Sequence, residues 1–131
     1  MRLALISFHG CPVARLGEKD TGGMNVYVLN LARELGNLGH YVDVFTRYHD
    51  VEDPQIVELG LNVRVIHLNG GPLLERKEDL AFHTASFTAN MHEFISQESI
   101  EYDLVHSHYW LSGKIAAEIS RIWEIPHVST F

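Results

Sequence analysis

The chain has 131 residues, 46% of them apolar and 21% charged, with a net charge of −7. That size supports one compact domain with a single core, and the composition excludes a disordered, collagen-like or coiled-coil chain. Seventeen acidic residues stand against ten basic ones, of which only Arg76 and Lys77 are adjacent, which argues against a nucleic-acid partner.

The first apolar stretch, Leu3 to Phe8, is broken by His9-Gly10-Cys11-Pro12 and reads as a buried strand rather than a signal peptide, since no small-residue cleavage site follows it. No apolar run reaches the roughly 18 residues of a membrane span. The single cysteine, Cys11, leaves no internal disulfide framework and no Cys-based zinc site, and fits a reducing, cytoplasmic setting. A polar loop of about 12 residues follows from His9 to Asp20, longer than most strand-to-helix connections, and long loops are often functional.

Asp20-Thr21-Gly22-Gly23 then introduces a helix, with Asp20 or Thr21 suited to its N-cap. Met24, Val28, Leu31, Leu35 and Leu38 recur on one face, and Gly36 and Gly39 weaken and end the helix. Tyr41 to Thr46 is a second strand. Arg47 to Gly60 is polar, contains Pro54 and reads mostly as loop with room for a short strand around Ile56. Asn62 to Leu68 is a third strand, stopped by Asn69-Gly70-Gly71-Pro72. A second helix is predicted from Lys77 to Ser96, with Leu80, Thr84, Phe87, Met91 and Phe94 on its inner face. Leu104 to Ser107 is a fourth strand. Ser112 to Trp123 is a third helix, with Ile115, Ile119 and Ile122 facing inward, and His127 to Phe131 starts a fifth strand. The alternation predicts an α/β fold: a Rossmann-like, open, mostly parallel sheet with helices on both faces. A chain that stops inside a strand, with no helix after it, is expected to be one piece of a longer protein.

In such a sheet, ligands bind beyond the carboxyl ends of the strands. Those ends hold His9-Gly10, Arg47, Asn69-Gly70 and His108-Tyr109. Gly22-Gly23 at a helix start permits close backbone approach and favours an anion, although neither GxGxxG nor GxxxxGK[ST] is present. Tyr109-Trp110 suits either stacking on a sugar or packing in the core. His106 and His108 point to the same side of a strand. No partner at metal-motif spacing accompanies them, so no metal is expected. One of the two is expected to be hydrogen-bonded in the core, and the other to face the ligand edge. His40, His49, His83 and His92 show no pattern, and solvated or partly buried positions account for them. Arg76 and Lys77 begin a helix against the dipole preference, and are either solvated or reach a phosphate.

Several blocks carry a likeness. His9-Gly10-Cys11-Pro12 and Asp20-Thr21-Gly22-Gly23-Met24-Asn25-Val26-Tyr27-Val28-Leu29 resemble the start of the retaining, family-4 glycosyltransferases of two-lobed GT-B architecture. Leu31-Ala32-Arg33-Glu34-Leu35, Val44-Phe45-Thr46-Arg47 and the block from Tyr102 to Gly113 are similar as well. The likeness runs through essentially the whole chain, and within the family it is greatest to the enzymes that glycosylate inositol phosphate and to those that make sucrose phosphate.

The resemblance implies that residues 1–131 form an N-terminal, acceptor-binding lobe, with a C-terminal nucleotide-sugar lobe of the same protein as its partner. A sugar would pass from a nucleotide diphosphate sugar to a sugar phosphate or inositol phosphate, with retention at the anomeric carbon. His9 and the segment with Asp20, Thr21, Gly22, Met24 and Asn25 would line the acceptor cleft, and Lys77 and Tyr109 would bind an acceptor phosphate. Arg15 would border the donor, and Gly23 would approach its diphosphate. No cofactor is expected in this lobe, and no catalytic residue is assigned in it: the family's His and Thr after the fifth strand fall past Phe131. Two rival readings are a small stand-alone α/β ligand-binding or regulatory module and a metal-binding module. A phospho-acceptor module would place acidic residues where this chain has His9 and Asn69.

Overall fold

Because side chains alternate between the two faces of a strand, each strand here feeds two cores at once. A computed structural model describes residues 1–8, 23–73 and 77–130, with the backbone alone for 23–25 and 77. Its elements are β1 (Arg2–Ile6), α1 (Gly23–Asn37), β2 (Tyr41–Arg47), β3 (Ile56–Gly60), β4 (Val63–Leu68), a 3-10 helix (Lys77–His83), α2 (Thr84–Glu98), β5 (Leu104–His108), α3 (Trp110–Trp123) and β6 (His127–Thr130). They form one sheet in the order β3-β4-β2-β1-β5-β6. Every pairing is parallel except β3 with β4.

On one face Leu3, Leu5, Val42, Val44, Val63 and Val65 meet Val28 and Ala32 of α1. On the other, Ala4, Ile6, Phe45, Ile66 and Val105 meet α2 and α3 through Phe87, Met91, Phe94, Ile115 and Ile119. The expected α/β sheet with helices on both faces is what forms.

Four details differ from the sequence reading. Gly36 does not end α1 but lies buried inside it, because the helix crosses the β3–β4 turn so closely that a Cβ there would sit 2.5 Å from the Leu61 carbonyl oxygen. The helix ends at Gly39 (φ +95), where the N–H groups of Gly39 and His40 reach the carbonyls of Gly36 and Leu35, a left-handed cap that only glycine adopts without cost. Leu38, just beyond the last helical residue, therefore turns outward and is 74% exposed. Ile122 is likewise exposed, its expected inward place taken by Ala116 and the half-buried Trp123.

The short strand around Ile56 is real, and it pairs antiparallel with β4 through a tight turn at Leu61-Asn62, where Asn62 takes φ 62. The second helix is two pieces. Leu80, Thr84, Phe87, Met91 and Phe94 are all buried as their spacing requires. The first turns are nevertheless 3-10, and the hydroxyls of Thr84 and Ser86 bond the carbonyls of Ala81 and His83 at the junction, in competition with the regular ladder.

A polar cluster enters the α2/α3 face. Asp43 is buried and accepts a two-pronged ion pair from Arg64 at 2.8 and 2.9 Å, and the Tyr102 hydroxyl donates to it as well. Its carboxylate holds the Arg64 guanidinium even more firmly charged than usual, while burial first, and then Asp43, raises the Tyr102 hydroxyl's pKa far above the ordinary value. A buried carboxylate so satisfied fixes the register of β2 against β4 and the approach of the α2–β5 connection.

Gly36→Ala is expected to destabilise the chain by about 2 kcal/mol by denaturant unfolding, since overpacking against a backbone carbonyl outweighs the helix-propensity gain. An unchanged or higher unfolding midpoint would show that the helix is free to move away.

Candidate functional site

Parallel pairing brings the carboxyl ends of β1, β2, β4 and β5 to one edge of the sheet. The clearest feature of that edge is the junction between β5 and α3. β5 ends at His108 and α3 begins at Trp110, so one residue makes the whole turn. That residue, Tyr109, takes φ 76, ψ 162, a region occupied almost only by glycine and costing about 1–3 kcal/mol for another residue. It is held there from both sides. The Tyr109 N–H donates to the Thr130 carbonyl at 2.8 Å, and its own carbonyl accepts from Gly113 at 3.0 Å. The buried Ser112 hydroxyl accepts the Phe8 N–H at 2.9 Å, which ties the start of α3 to the end of β1. The outcome is that the Tyr109 and Trp110 rings stand exposed at the strand ends, so the core-packing alternative for this pair does not hold. Lys114 lies over the Trp110 ring at 6.0 Å.

A layer of histidines lies under this turn. The rings of His106 and His108 are 4.3 Å apart, on one side of β5 as their spacing requires. His106 Nε2 lies 2.8 Å from the Thr130 hydroxyl, and Ser107 Oγ 2.9 Å from His127 Nε2. His108 has no exposed surface, and neither of its ring nitrogens has a partner among the described residues. This departs from the sequence reading, in which the core histidine is the hydrogen-bonded one. The Tyr27 ring, one turn into α1, meets His108 edge-on at 5.6 Å, so the start of α1 comes to the same end of β5. Burial, and then the neighbouring His106, push the His108 pKa down to about 4; burial also lowers His106 and His127. The layer is neutral near pH 7.

The third part of the edge is the turn after β4. Arg47, buried at the end of β2, donates from Nε to the Gly70 carbonyl at 3.2 Å and from Nη2 to the Pro72 carbonyl. Asn90 donates to the Asn69 carbonyl. A Cβ on Gly71 (φ +94) would lie 2.5 Å from the His83 ring, and one on Gly70 would lie 3.0 Å from Phe8. This turn is packed. Arg47 is the supporting residue that sequence reasoning missed: it stood out only as a strand-end residue, and an isolated cation gives no sign that it will clamp two carbonyls.

Among the predicted site residues, Tyr109 stands at the β5–α3 turn, Lys77 opens the 3-10 helix, and Gly23, Met24 and Asn25 open α1. His9, Arg15, Asp20, Thr21 and Gly22, like Cys11 and Arg76, lie outside the described residues. At the opposite edge a cavity of about 840 Å³ is lined by Arg2, Asp43, Arg64, Glu98 and Tyr102 among others. Its central polar groups are taken up by one another in the Asp43 cluster, with Glu98 3.6 Å from Arg64. No helix among the described residues is long and apolar enough to cross a membrane.

An open, mostly parallel sheet with polar residues gathered at its carboxyl strand ends, and helices starting there, is the architecture in which ligands bind beyond those ends. The chain belongs to the glycosyl transferase 4-like domain family, whose match covers residues 22–131. It is 45% identical over 131 residues to a protein of Corynebacterium urealyticum named D-inositol 3-phosphate glycosyltransferase, and 45% identical over 129 residues to one of that name from Kineococcus radiotolerans. It spans 99% and 97% of itself in these matches, and only 31% and 30% of the relatives. Among solved structures, sucrose-phosphate synthase from Thermosynechococcus elongatus superposes with a TM-score of 0.90 at 34% identity, over 99% of this chain and 32% of that one.

Because the folded His108 pKa of about 4 lies below the ordinary 6.5, the unfolded chain takes up the proton first as pH falls. The stability held by the neutral ring is complete above pH 6.5 and drains away toward pH 4. His108→Phe is expected to flatten the fall in melting temperature across that window. A fall as steep as in the parent chain would remove His108 as its source.

Proposed function

We propose that this chain is the acceptor-binding lobe of a retaining glycosyltransferase that moves a sugar from a nucleotide diphosphate sugar to a phosphorylated polyol or sugar. The observation that carries the proposal is Tyr109, held in a costly backbone conformation so that its ring stands exposed at the strand ends, facing the same edge as the start of α1 and the turn leading to Lys77. Strain of this kind persists where surrounding structure enforces it, and it concentrates at ligand sites. Membership of the family, and relatives whose names specify an inositol phosphate or a sucrose phosphate, support the chemical class of the acceptor.

In this reading the Lys77 ammonium and the Tyr109 hydroxyl hold the acceptor phosphate, while His9, Asp20, Thr21, Gly22, Met24 and Asn25 line the acceptor's polyol face. Arg15 and the Gly23 backbone meet the donor diphosphate, where the unpaired N–H groups at a helix start favour negative charge. Retention follows if the leaving diphosphate departs from the same face that the acceptor hydroxyl attacks. Charge that develops on the diphosphate must then be met by fixed dipoles and cations. The contribution of this lobe is positioning, which converts a bimolecular encounter into an oriented one. The rest of the donor site belongs to a second lobe in a longer protein, in keeping with the roughly one-third share of the relatives that this chain spans. We place the protein in the cytoplasm, where its one cysteine stays reduced.

Calorimetric titration with inositol 3-phosphate and fructose 6-phosphate, each against its unphosphorylated parent, tests the assignment. At least one phosphorylated compound is expected to bind, with Lys77→Ala weakening it about tenfold or more, as for a lost charge-assisted contact. Tyr109→Gly is expected to raise stability by about 1 kcal/mol by relieving the backbone while also weakening binding. Equal binding of both phosphorylated compounds by parent and variants would overturn the assignment, as would sugar transfer by residues 1–131 alone.

A further inference from the structure

At the outer strands, just past the carboxyl end of β2, the connection between β2 and β3 folds back onto β4 and gathers three metal-ligating side chains. His49 Nδ1 lies 2.8 Å from Asp53 Oδ2, and His67 Nε2 lies 3.9 Å from the same oxygen. All three ligand atoms fall within 4.8 Å of one another. We propose that His49 Nδ1, Asp53 Oδ2 and His67 Nε2 form a binding site for a divalent transition-metal ion of the zinc type, with water completing its coordination.

The decisive detail is the tautomer of His67. Its Nδ1 lies 2.7 Å from the Pro54 carbonyl oxygen, which can only accept, so Nδ1 carries the hydrogen. In the neutral ring, Nε2 is then a lone pair directed toward a carboxylate oxygen. That leaves Nε2 as the ring atom able to bind an ion, beside the Asp53 carboxylate and His49 Nδ1. Donation of the second ring nitrogen to a backbone carbonyl is how metal-bound histidines are commonly oriented.

The dimensions also fit. Tetrahedral zinc at about 2.0–2.1 Å from each ligand sets ligand atoms about 3.3 Å apart, between the 2.8 and 3.9 Å found here. Asp53 is already fixed, since Oδ2 also accepts the N–H groups of His49 and Asp50 at 2.9 and 3.0 Å. His49 is partly exposed, which gives an ion a way in. On binding, His49 Nδ1 gives its lone pair to the ion, and any proton it carries leaves to solvent. Two imidazoles and one carboxylate favour zinc-type ions over magnesium or calcium. Bound there, an ion would clamp the β2–β3 connection onto β4, just before the turn that leads toward Lys77. Sequence spacing alone did not mark this group, because His67 comes from a strand 14 positions beyond Asp53 and is joined to it by a β-hairpin.

The test is calorimetric titration of the EDTA-stripped chain with zinc, together with the visible spectrum of the cobalt-loaded chain. The expected result is one tight site per chain, intense tetrahedral cobalt bands and a raised melting temperature. His49→Ala and Asp53→Asn should each weaken zinc binding tenfold or more, while their far-ultraviolet circular dichroism stays that of the parent. His108→Phe should bind as the parent does. Zinc affinity unchanged in His49→Ala, loss in His108→Phe instead, or several weak sites with no change in melting temperature would each overturn the proposal.

Discussion

The strained link between β5 and α3 is the constraint on which this edge of the molecule depends. Ordinary strand-to-helix connections spend several residues turning the chain, and each added residue blunts the placement of the next helix. Here one tyrosine makes the turn at φ 76. That is possible because both its flanks are fixed: β5 lies between β1 and β6, and α3 is pinned by Ser112 to Phe8 and by Leu111, Ile115 and Ile119 to the core. The packing energy of two hydrophobic faces thus maintains a local conformation that the residue would not choose. An aromatic ring is thereby placed, partly exposed, at the strand ends.

Two edges of the same sheet meet opposite fates. At the amino-terminal edge the polar groups satisfy one another: Asp43 binds Arg64 and Tyr102, and Asp103 accepts the Arg2 N–H at 2.7 Å. Such a closed network secures register and leaves little to recognise a ligand. At the carboxyl-terminal edge, Arg47 and Asn90 spend their donors on backbone carbonyls of the Asn69–Pro72 turn. Those donors shape a surface rather than cancel each other. The histidine layer beneath Tyr109 stays uncharged because burial disfavours its protonated form, so the edge carries directed groups over a neutral floor.

Much of the fold was legible in the sequence because hydrophobic period and burial agree. Leu80, Thr84, Phe87, Met91 and Phe94 marked the inner face of the second helix without error. The features that escaped were decided by close approach. Gly36 reads as a helix breaker in one dimension, and it is a contact with Leu61 in three. The α2 end at Ser99 adopts a left-handed cap without glycine, so no residue type announced it, whereas α3 ends at Trp123 as read. For the site, strand-end logic drew attention to Tyr109, whose ring stands exposed at the β5–α3 turn. It did not reveal the Arg47 clamp or the grouping of His49, Asp53 and His67, since each depends on which segments the β2–β4 pairing brings side by side.

Amide chemical-shift mapping of the chain titrated with inositol 3-phosphate tests the placement of the acceptor site most directly. The perturbed amides are expected to cluster at the carboxyl-terminal edge, around Tyr109 to Ser112, the first turn of α1 and the segment from Gly70 to the 3-10 helix. Shifts confined to the opposite edge, around Arg2, Arg64 and Tyr102, would contradict that placement.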